Sequence, residues 1–299
     1  MPDPTTRPLA VVTGASTGIG YELAKQFAEH GYDLVVSAED PGIERAAAEL
    51  RSQGATVTAV QADLATYDGV EELAGRVTAG PAPDALAVNA GVGNSGSFLD
   101  GALADHLNLV ALNVTGAVHL AHRLLPAMVA KGEGKVLFTS SIAGVMPGPY
   151  ESTYAASKAF LYSFSEAIRR ELKDKGVTVT ALMPGPTETE FFERAGLQDT
   201  KVGTSKKDDA AEVAKDGFEA LMAGKDHVTA GSFTNKVQAA AAKYLPGKVS
   251  AKMHERMAKP GTGKVTTKVQ EMRTKAGTSK VGSKVQEMRT KPKADAGGS

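Results

Sequence analysis

Short, mostly apolar runs alternate with helically spaced stretches along the first three quarters of the chain. Leu9-Ala10-Val11-Val12-Thr13 is the first run, and others cover 33–37, 56–60, 85–88, 135–139 and 177–182. Runs of this length and composition predict strands of a buried parallel sheet. The stretches between them carry apolar residues three and four positions apart. In the first, Leu23, Phe27 and Ala28 share a face, and the segment closes at His30-Gly31. Further helices are predicted over 43–53, 69–78, 103–130 and 152–175. Alternating strand and helix predict an α/β fold, a doubly wound parallel sheet with helices on both faces, Rossmann-like in outline. The alternation covers 9–231, read as one domain after an N-terminal extension over 1–8. Helical segments over 232–244 and 249–258 form a C-terminal extension within 232–259, and a polar tail over 260–299 follows.

Sheets of this kind collect ligands beyond the carboxyl ends of their strands. The first strand runs into Gly14-Ala15-Ser16-Thr17-Gly18-Ile19-Gly20, and a helix follows. Strand, glycine-rich turn and helix form the context in which such glycines cradle a pyrophosphate. Gly14 permits the tight turn, Gly18 admits the phosphates, and Gly20 lets the helix pack. Ser16, Thr17 and Ile19 complete the cradle, and the helix N-terminus offers free N–H groups and partial positive charge. The second strand ends at Ala38-Glu39-Asp40. Glu39 there either accepts from an adenosine 2′-hydroxyl or is a solvated surface acid. No Arg or Lys stands at that strand end or in the turn, which favours NAD, with NADP the alternative if Arg45 swings in. Asp63 follows the third strand and either holds an adenine amino group or caps the next helix. Asn89-Ala90-Gly91 is small enough for backbone to lie close to a cofactor.

Later segments bring groups suited to proton transfer. Tyr154 and Lys158 lie four apart on a predicted helix and so share a face. Taken alone they read as surface residues; in a cleft, the ammonium would lower the phenol pKa from about 10 and fit it for acid–base work. Ser140-Ser141 closes the fifth strand thirteen residues earlier. Asn113 sits in the apolar stretch over 103–130 and needs partners; a bond to a local carbonyl would bend the helix. Pro184-Gly185-Pro186-Thr187-Glu188-Thr189 closes the sixth strand, and Phe191 and Phe192 after it either line a pocket or staple a short helix. His119 and His122 have metal-pair spacing but no third ligand nearby in sequence, so no metal is expected.

Charge and composition refine this picture. The 299 residues carry no net charge, but the tail over 260–299 holds nine Lys/Arg against three Asp/Glu, which leaves 25 basic and 31 acidic groups before it. The tail repeats Lys-Val-Gln-Glu-Met-Arg-Thr-Lys at 268–275 and 284–291. Its composition predicts disorder: a solvated extension produced by local duplication, or a basic tether for nucleic acid or another polyanion. The absence of cysteine excludes disulfides, thiolate metal sites and a cysteine nucleophile. No signal-peptide h-region and no membrane-length apolar stretch is evident, so a cytoplasmic protein is expected.

Thr13-Gly14-x3-Gly18-x-Gly20, Asp63, Asn89-Ala90-Gly91, Asn113, Ser141, Tyr154-x3-Lys158 and Pro184-Gly185-x3-Thr189 stand in an order and spacing that resemble the classical short-chain dehydrogenase/reductase family over roughly 9–231. The resemblance implies an oxidoreductase that moves a hydride between a nicotinamide cofactor and a secondary alcohol or carbonyl compound. It makes Tyr154 the acid/base and Lys158 the residue that grips the nicotinamide ribose and tunes Tyr154. Ser141 would stabilise the substrate oxygen, Asn113 hold a relay water, and Thr187 and Thr189 fix the carboxamide. The thirteen-residue gap to Tyr154 matches the family's spacing, so the resemblance selects Ser141 over Ser140. Val88 replaces an Asn usual in the family. The expected C-terminal close is followed by extra helices, which favours a homodimer through the long helices over a tetramer. The alternative is a dinucleotide-binding sensor or partner protein with vestigial catalysis, for which Ser141 would have no use.

Overall fold

The sheet is built outward from β1 (Leu9–Thr13), which pairs in parallel with β2 (Asp33–Ala38) on one side and β4 (Ala85–Val88) on the other. β3 (Val57–Gln61) extends the first side, and β5 (Gly134–Thr139), β6 (Val177–Pro184) and β7 (His227–Ala230) extend the second. The order β3-β2-β1-β4-β5-β6-β7 is parallel throughout. This computed structural model describes residues 7–232 and 246–263. The strand order reverses between β1 and β4, so the loops leaving these strands part at the carboxyl edge and open a cleft there.

Helices α1 (Gly18–Glu29), α2 (Gly42–Ser52), α3 (Tyr67–Thr78), α4 (Leu103–Val110), α5 (Ala117–Lys131) and α6 (Ser152–Leu172) connect the first six strands. The short α7 (Phe191–Arg194) and α8 (Ala210–Met222) lead to β7, and α9 (Gly247–Ala258) follows. Successive side chains of a strand point to opposite faces. Ala10 and Val12 of β1 therefore join a core with Leu23, Phe27 and Phe218, while Val11 joins Val70, Leu73, Leu120 and Phe138 on the other face. That double burial is why the strand runs lack a polar face. Phe27 is fully buried and meets Tyr32 and Phe218 edge-on, each at 5.2 Å between ring centroids. Truncating such a residue to Ala costs about 3–5 kcal/mol.

The structure revises several boundaries. The stretch over 103–130 is not one helix, because a π-helical segment, Ala111–Gly116, interrupts it between α4 and α5. Asn113 lies in that segment and bonds outside its own helix, to Val92. β6 continues to Pro184, and α6 ends at Leu172. β7 is an added strand; with four residues and a half-buried His227 and Thr229, it lacks the apolar signature of the others. The C-terminal helix begins at Gly247 rather than Val249. The helix expected over 232–244 lies outside the described residues except for its first, and the repeat-bearing tail lies outside them from 264 onward. No helix among the described residues is long and apolar enough to cross a membrane.

Candidate active site

The turn between β1 and α1 forms one wall of the cleft. Gly14 has φ +65°, and a Cβ on it would stand 2.9 Å from Ala90 Cα. A Cβ on Gly20 would lie 2.0 Å from Gly14 O and 2.5 Å from Asn89 Nδ2. The first glycine thus supplies the turn and the third lets α1 close onto it. Gly18 faces Thr189, whose Cγ2 would be 3.0 Å from an added Cβ. Thr17, which precedes α1, makes no side-chain cap bond. The first N–H groups of α1 are therefore left for an external acceptor. Ser16, Thr17 and Ile19 line the same wall. This cradle fits a pyrophosphate.

Ala38, Glu39 and Asp40 border the cleft beyond β2. Glu39 is exposed. Asp40, which sequence reasoning passed over, is held more firmly: Ser16 Oγ donates to its Oδ2 at 2.8 Å and Gly42 N to its Oδ1 at 2.9 Å. It ties the glycine turn to the end of β2. Asp63 is exposed, stands outside the cleft lining, and accepts from Ala65 N at 2.9 Å; Thr66, not Asp63, caps α3. Asn89 knits the sheet edge together. Its Nδ2 donates to Thr13 O at 3.1 Å, and its Oδ1 accepts from Thr139 Oγ1 at 3.0 Å. Thr13 Oγ1 accepts from the backbone N–H groups of Asn89 and Ala90. Gly91 leaves room for chemistry behind it, since a Cβ there would sit 3.1 Å from Asn113 Oδ1 and 3.2 Å from Lys158 Nζ.

Asn113 is fully buried. Its Oδ1 accepts from Val92 N, and its Nδ2 donates to Val92 O and to Ser157 Oγ, all at 2.9–3.0 Å. Lys158 is 4% exposed, and its Nζ donates to Thr139 O at 2.8 Å. Burial pushes its pKa down to about 8. Ser140 is committed to structure, because its Oγ donates to Lys158 O at 2.7 Å. Ser141 and Tyr154 both line the cleft, and Ser141 Oγ accepts from Ala143 N at 3.1 Å. Burial raises the Tyr154 phenol above its ordinary range; the nearby Ser141 hydroxyl opposes that rise and the Glu151 carboxylate adds to it. The expected lowering of the phenol by Lys158 is thus replaced by a rise, because desolvation disfavours the phenolate.

The far wall comes from beyond β6. Pro184, Gly185, Thr187 and Thr189 line it. Thr187 Oγ1 donates to Gly185 O at 2.9 Å, and Thr189 Oγ1 accepts from Phe191 N at 3.3 Å. The Phe191 ring lies 5.2 Å from that of Tyr154 and approaches so closely to Gly93 that a Cβ there would meet its Cζ at 2.4 Å. Phe192 packs with Ala195 and Leu197. Phe191 thus borders the cleft while Phe192 also staples the segment. Met146, Glu151, Met253, His254 and Met257 line the cleft as well. Sequence reasoning missed them because no local spacing links α9 to a loop about a hundred residues earlier. His119 and His122 do not converge on a metal: His119 Nε2 is 2.7 Å from Glu71 Oε1, and His122 is exposed.

A family model described as short chain dehydrogenase matches residues 8–200. The chain belongs to the short-chain dehydrogenase family. That family match stops before α8, β7 and α9. Oxidoreductase UcpA of Salmonella typhimurium is 34% identical over 192 residues, covering 63% of this chain and 73% of that protein. A short-chain dehydrogenase from Sphingobium yanoikuyae, solved in complex with NADPH, aligns with a TM-score of 0.70 and 32% identity over 74% of this chain and 87% of that one. A family member from Burkholderia phymatum, solved in complex with NAD, aligns with a TM-score of 0.71 and 25% identity over 79% and 92% of the two chains.

Proposed function

We propose that the protein is a nicotinamide-dependent oxidoreductase that interconverts a secondary alcohol and a carbonyl compound, with Tyr154 as acid/base and NAD as the preferred cofactor. The observation that carries this reading is that Ser141, Tyr154 and the buried Lys158 line one cleft, which the glycine cradle borders. Gly14, Ser16, Thr17, Gly18, Ile19 and Gly20 would hold the pyrophosphate, with Glu39 and Asp40 at the adenosine ribose. Asn89, Ala90 and Gly91 would back the cofactor, Lys158 would grip the nicotinamide ribose, and Pro184, Gly185, Thr187 and Thr189 would border the nicotinamide. When bound, the cofactor supplies the hydride.

Ser141 donates to the substrate oxygen and stabilises charge developing there. Tyr154 gives that oxygen its proton in reduction and takes it back in oxidation. A phenol raised by burial stays protonated near neutrality, which suits the reductive direction. Asn113 spends both amide hydrogens on Val92 and Ser157. As a relay it would hold water through the remaining lone pair of Oδ1. Assembly as a homodimer is part of the reading: Leu103 and Leu107 of α4 and Phe160 of α6 are exposed on two helices that pack together.

A screen of secondary alcohols and ketones, followed by absorbance of the reduced nicotinamide, tests the function. Wild type turns over at least one of these compounds. Tyr154→Phe loses roughly 10²–10⁴-fold in rate while its NADH affinity stays near wild type. Native turnover by Tyr154→Phe would remove the assignment.

A further inference from the structure

Helix α9 lies beyond the family match yet reaches the catalytic centre. His254 Nε2 stands 3.0 Å from Glu151 Oε2, with the two side chains only 10% and 8% exposed. Glu151 immediately precedes α6, and its carbonyl accepts from Ala155 N at 2.8 Å, so the pair is anchored at the start of the helix that carries Tyr154. Gly148 leaves room for the imidazole: a Cβ there would sit 3.2 Å from His254 Nε2 and 2.5 Å from Ala155 Cβ. The same helix is fastened to the segment after α7. Val202 N donates to Met257 O at 2.9 Å, and Gly263 N donates to Asp199 O at 2.7 Å. Two contacts, His254 with Glu151 and Met257 with Val202, thus hold α9 against both the start of the catalytic helix and the far wall of the cleft, and Gly263 ties down the segment that follows it.

We propose that Glu151 and His254 form a latch that seats α9 as the roof of the substrate chamber, and that Met253 and Met257, carried by that helix, select substrates with a bulky apolar group beside the reacting carbon. This rests on the oxidoreductase reading. Ile142, Met146 and Phe191 line the same cleft as the two methionines. Unbranched thioether side chains adapt to irregular apolar shapes. Arg194 is paired with Glu190 at 2.7 Å. With Glu151 and Glu190 in the lining, and its His254 and Arg194 already paired with them, an anionic substrate is disfavoured. Buried ionisable groups persist where they are paired, and each partner here leaves the other unpaired if removed.

Two measurements on the full chain, loaded with NAD or NADH, test this. In hydrogen exchange, amides over 247–258 are protected in wild type. His254→Ala and, more mildly, Glu151→Gln raise their exchange by about tenfold or more. Glu151→His combined with His254→Glu restores protection. In kinetics, wild-type kcat/KM rises along a series of methyl ketones from butanone upward, by a factor of up to about four per buried methylene, and pyruvate is a poor substrate. Met253→Ala with Met257→Ala flattens that rise, chiefly through KM. Unchanged exchange in His254→Ala overturns the latch. A chain-length dependence that survives the double methionine variant, or a preference for pyruvate, overturns the selection. Absence of turnover with every ketone sinks the oxidoreductase reading and the selection with it, while the exchange measurement still decides the latch.

Discussion

Lys158 and Tyr154 lie one turn apart on α6, yet Lys158 Nζ is 5.8 Å from the centre of the Tyr154 ring and spends a hydrogen bond on Thr139 O. Both side chains are buried, and burial moves the two groups oppositely. The phenol rises and the ammonium falls to about 8. Each shift favours the neutral form. At neutral pH the phenol stays protonated, while Lys158 keeps most of its charge but sits much nearer to its titration than an exposed lysine would.

The lysine shift has a consequence for stability. Between about pH 8 and the ordinary lysine value of 10.5, the unfolded chain binds a proton that folded Lys158 has released, so this group makes stability rise with pH. Above about pH 10, the unfolded tyrosine loses a proton that Tyr154 keeps, and its contribution runs the other way. Urea unfolding of wild type and Lys158→Met, compared at matched pH, should show wild type gaining on the variant by on the order of 2–3 kcal/mol between pH 8 and 10. A difference that stays flat with pH would show that the buried charge is not the source.

Cofactor choice turns on Asp40 as much as on Glu39. Ser16 and the Gly42 N–H hold the Asp40 carboxylate at the cleft edge, so a 2′-phosphate there would meet fixed negative charge. Fluorescence titration should give tighter binding of NADH than of NADPH, and Glu39→Arg should narrow the gap mainly by strengthening NADPH. Asp40→Asn should weaken both by loosening the glycine turn while narrowing the gap further. An NADPH preference in wild type would refute this account.

Gly20 gives a steric prediction. An added Cβ would fall 2.0 Å from Gly14 O, which is backbone and cannot step aside. Gly20→Ala should therefore break the turn, costing about 1–3 kcal/mol or more by overpacking and abolishing detectable NADH binding. Thermal unfolding and NADH titration on the same sample separate the two effects. Wild-type values in both would mean that the turn is more plastic than its contacts imply.

The legibility of the fold followed from burial. Strands covered on both faces have little choice but apolar residues, so β1 to β6 stood out while the shorter, half-polar β7 did not. The site was legible where topology concentrates it: strand ends converge on one edge, where Gly91 could be read as room for a cofactor, while Ser141 and Thr187 were singled out by the family resemblance. Asp40 was adjacent to a nominated residue but was singled out only by its bond to Ser16. Glu151 and His254, 103 positions apart, share no periodicity, and only the folded chain brings them together. The sign of the Tyr154 shift was misjudged for a related reason: sequence shows a neighbouring ammonium but not the depth at which both groups lie.

The exposed apolar strip on α4 and α6 supplies the last prediction. Leu103 is 69% and Leu107 59% exposed, on a helix packed against the one that carries Tyr154 and Phe160. Apolar side chains left in water at helical spacing are costly unless covered, and a second copy of the same strip would cover them symmetrically. Sedimentation should find wild type as a dimer at micromolar concentration and Leu103→Asp with Leu107→Asp as a monomer. Because neither leucine is buried within the chain, the variant should keep the wild-type circular dichroism spectrum. A variant that stays dimeric would move the interface elsewhere, and a monomeric wild type would remove the dimer from the proposal.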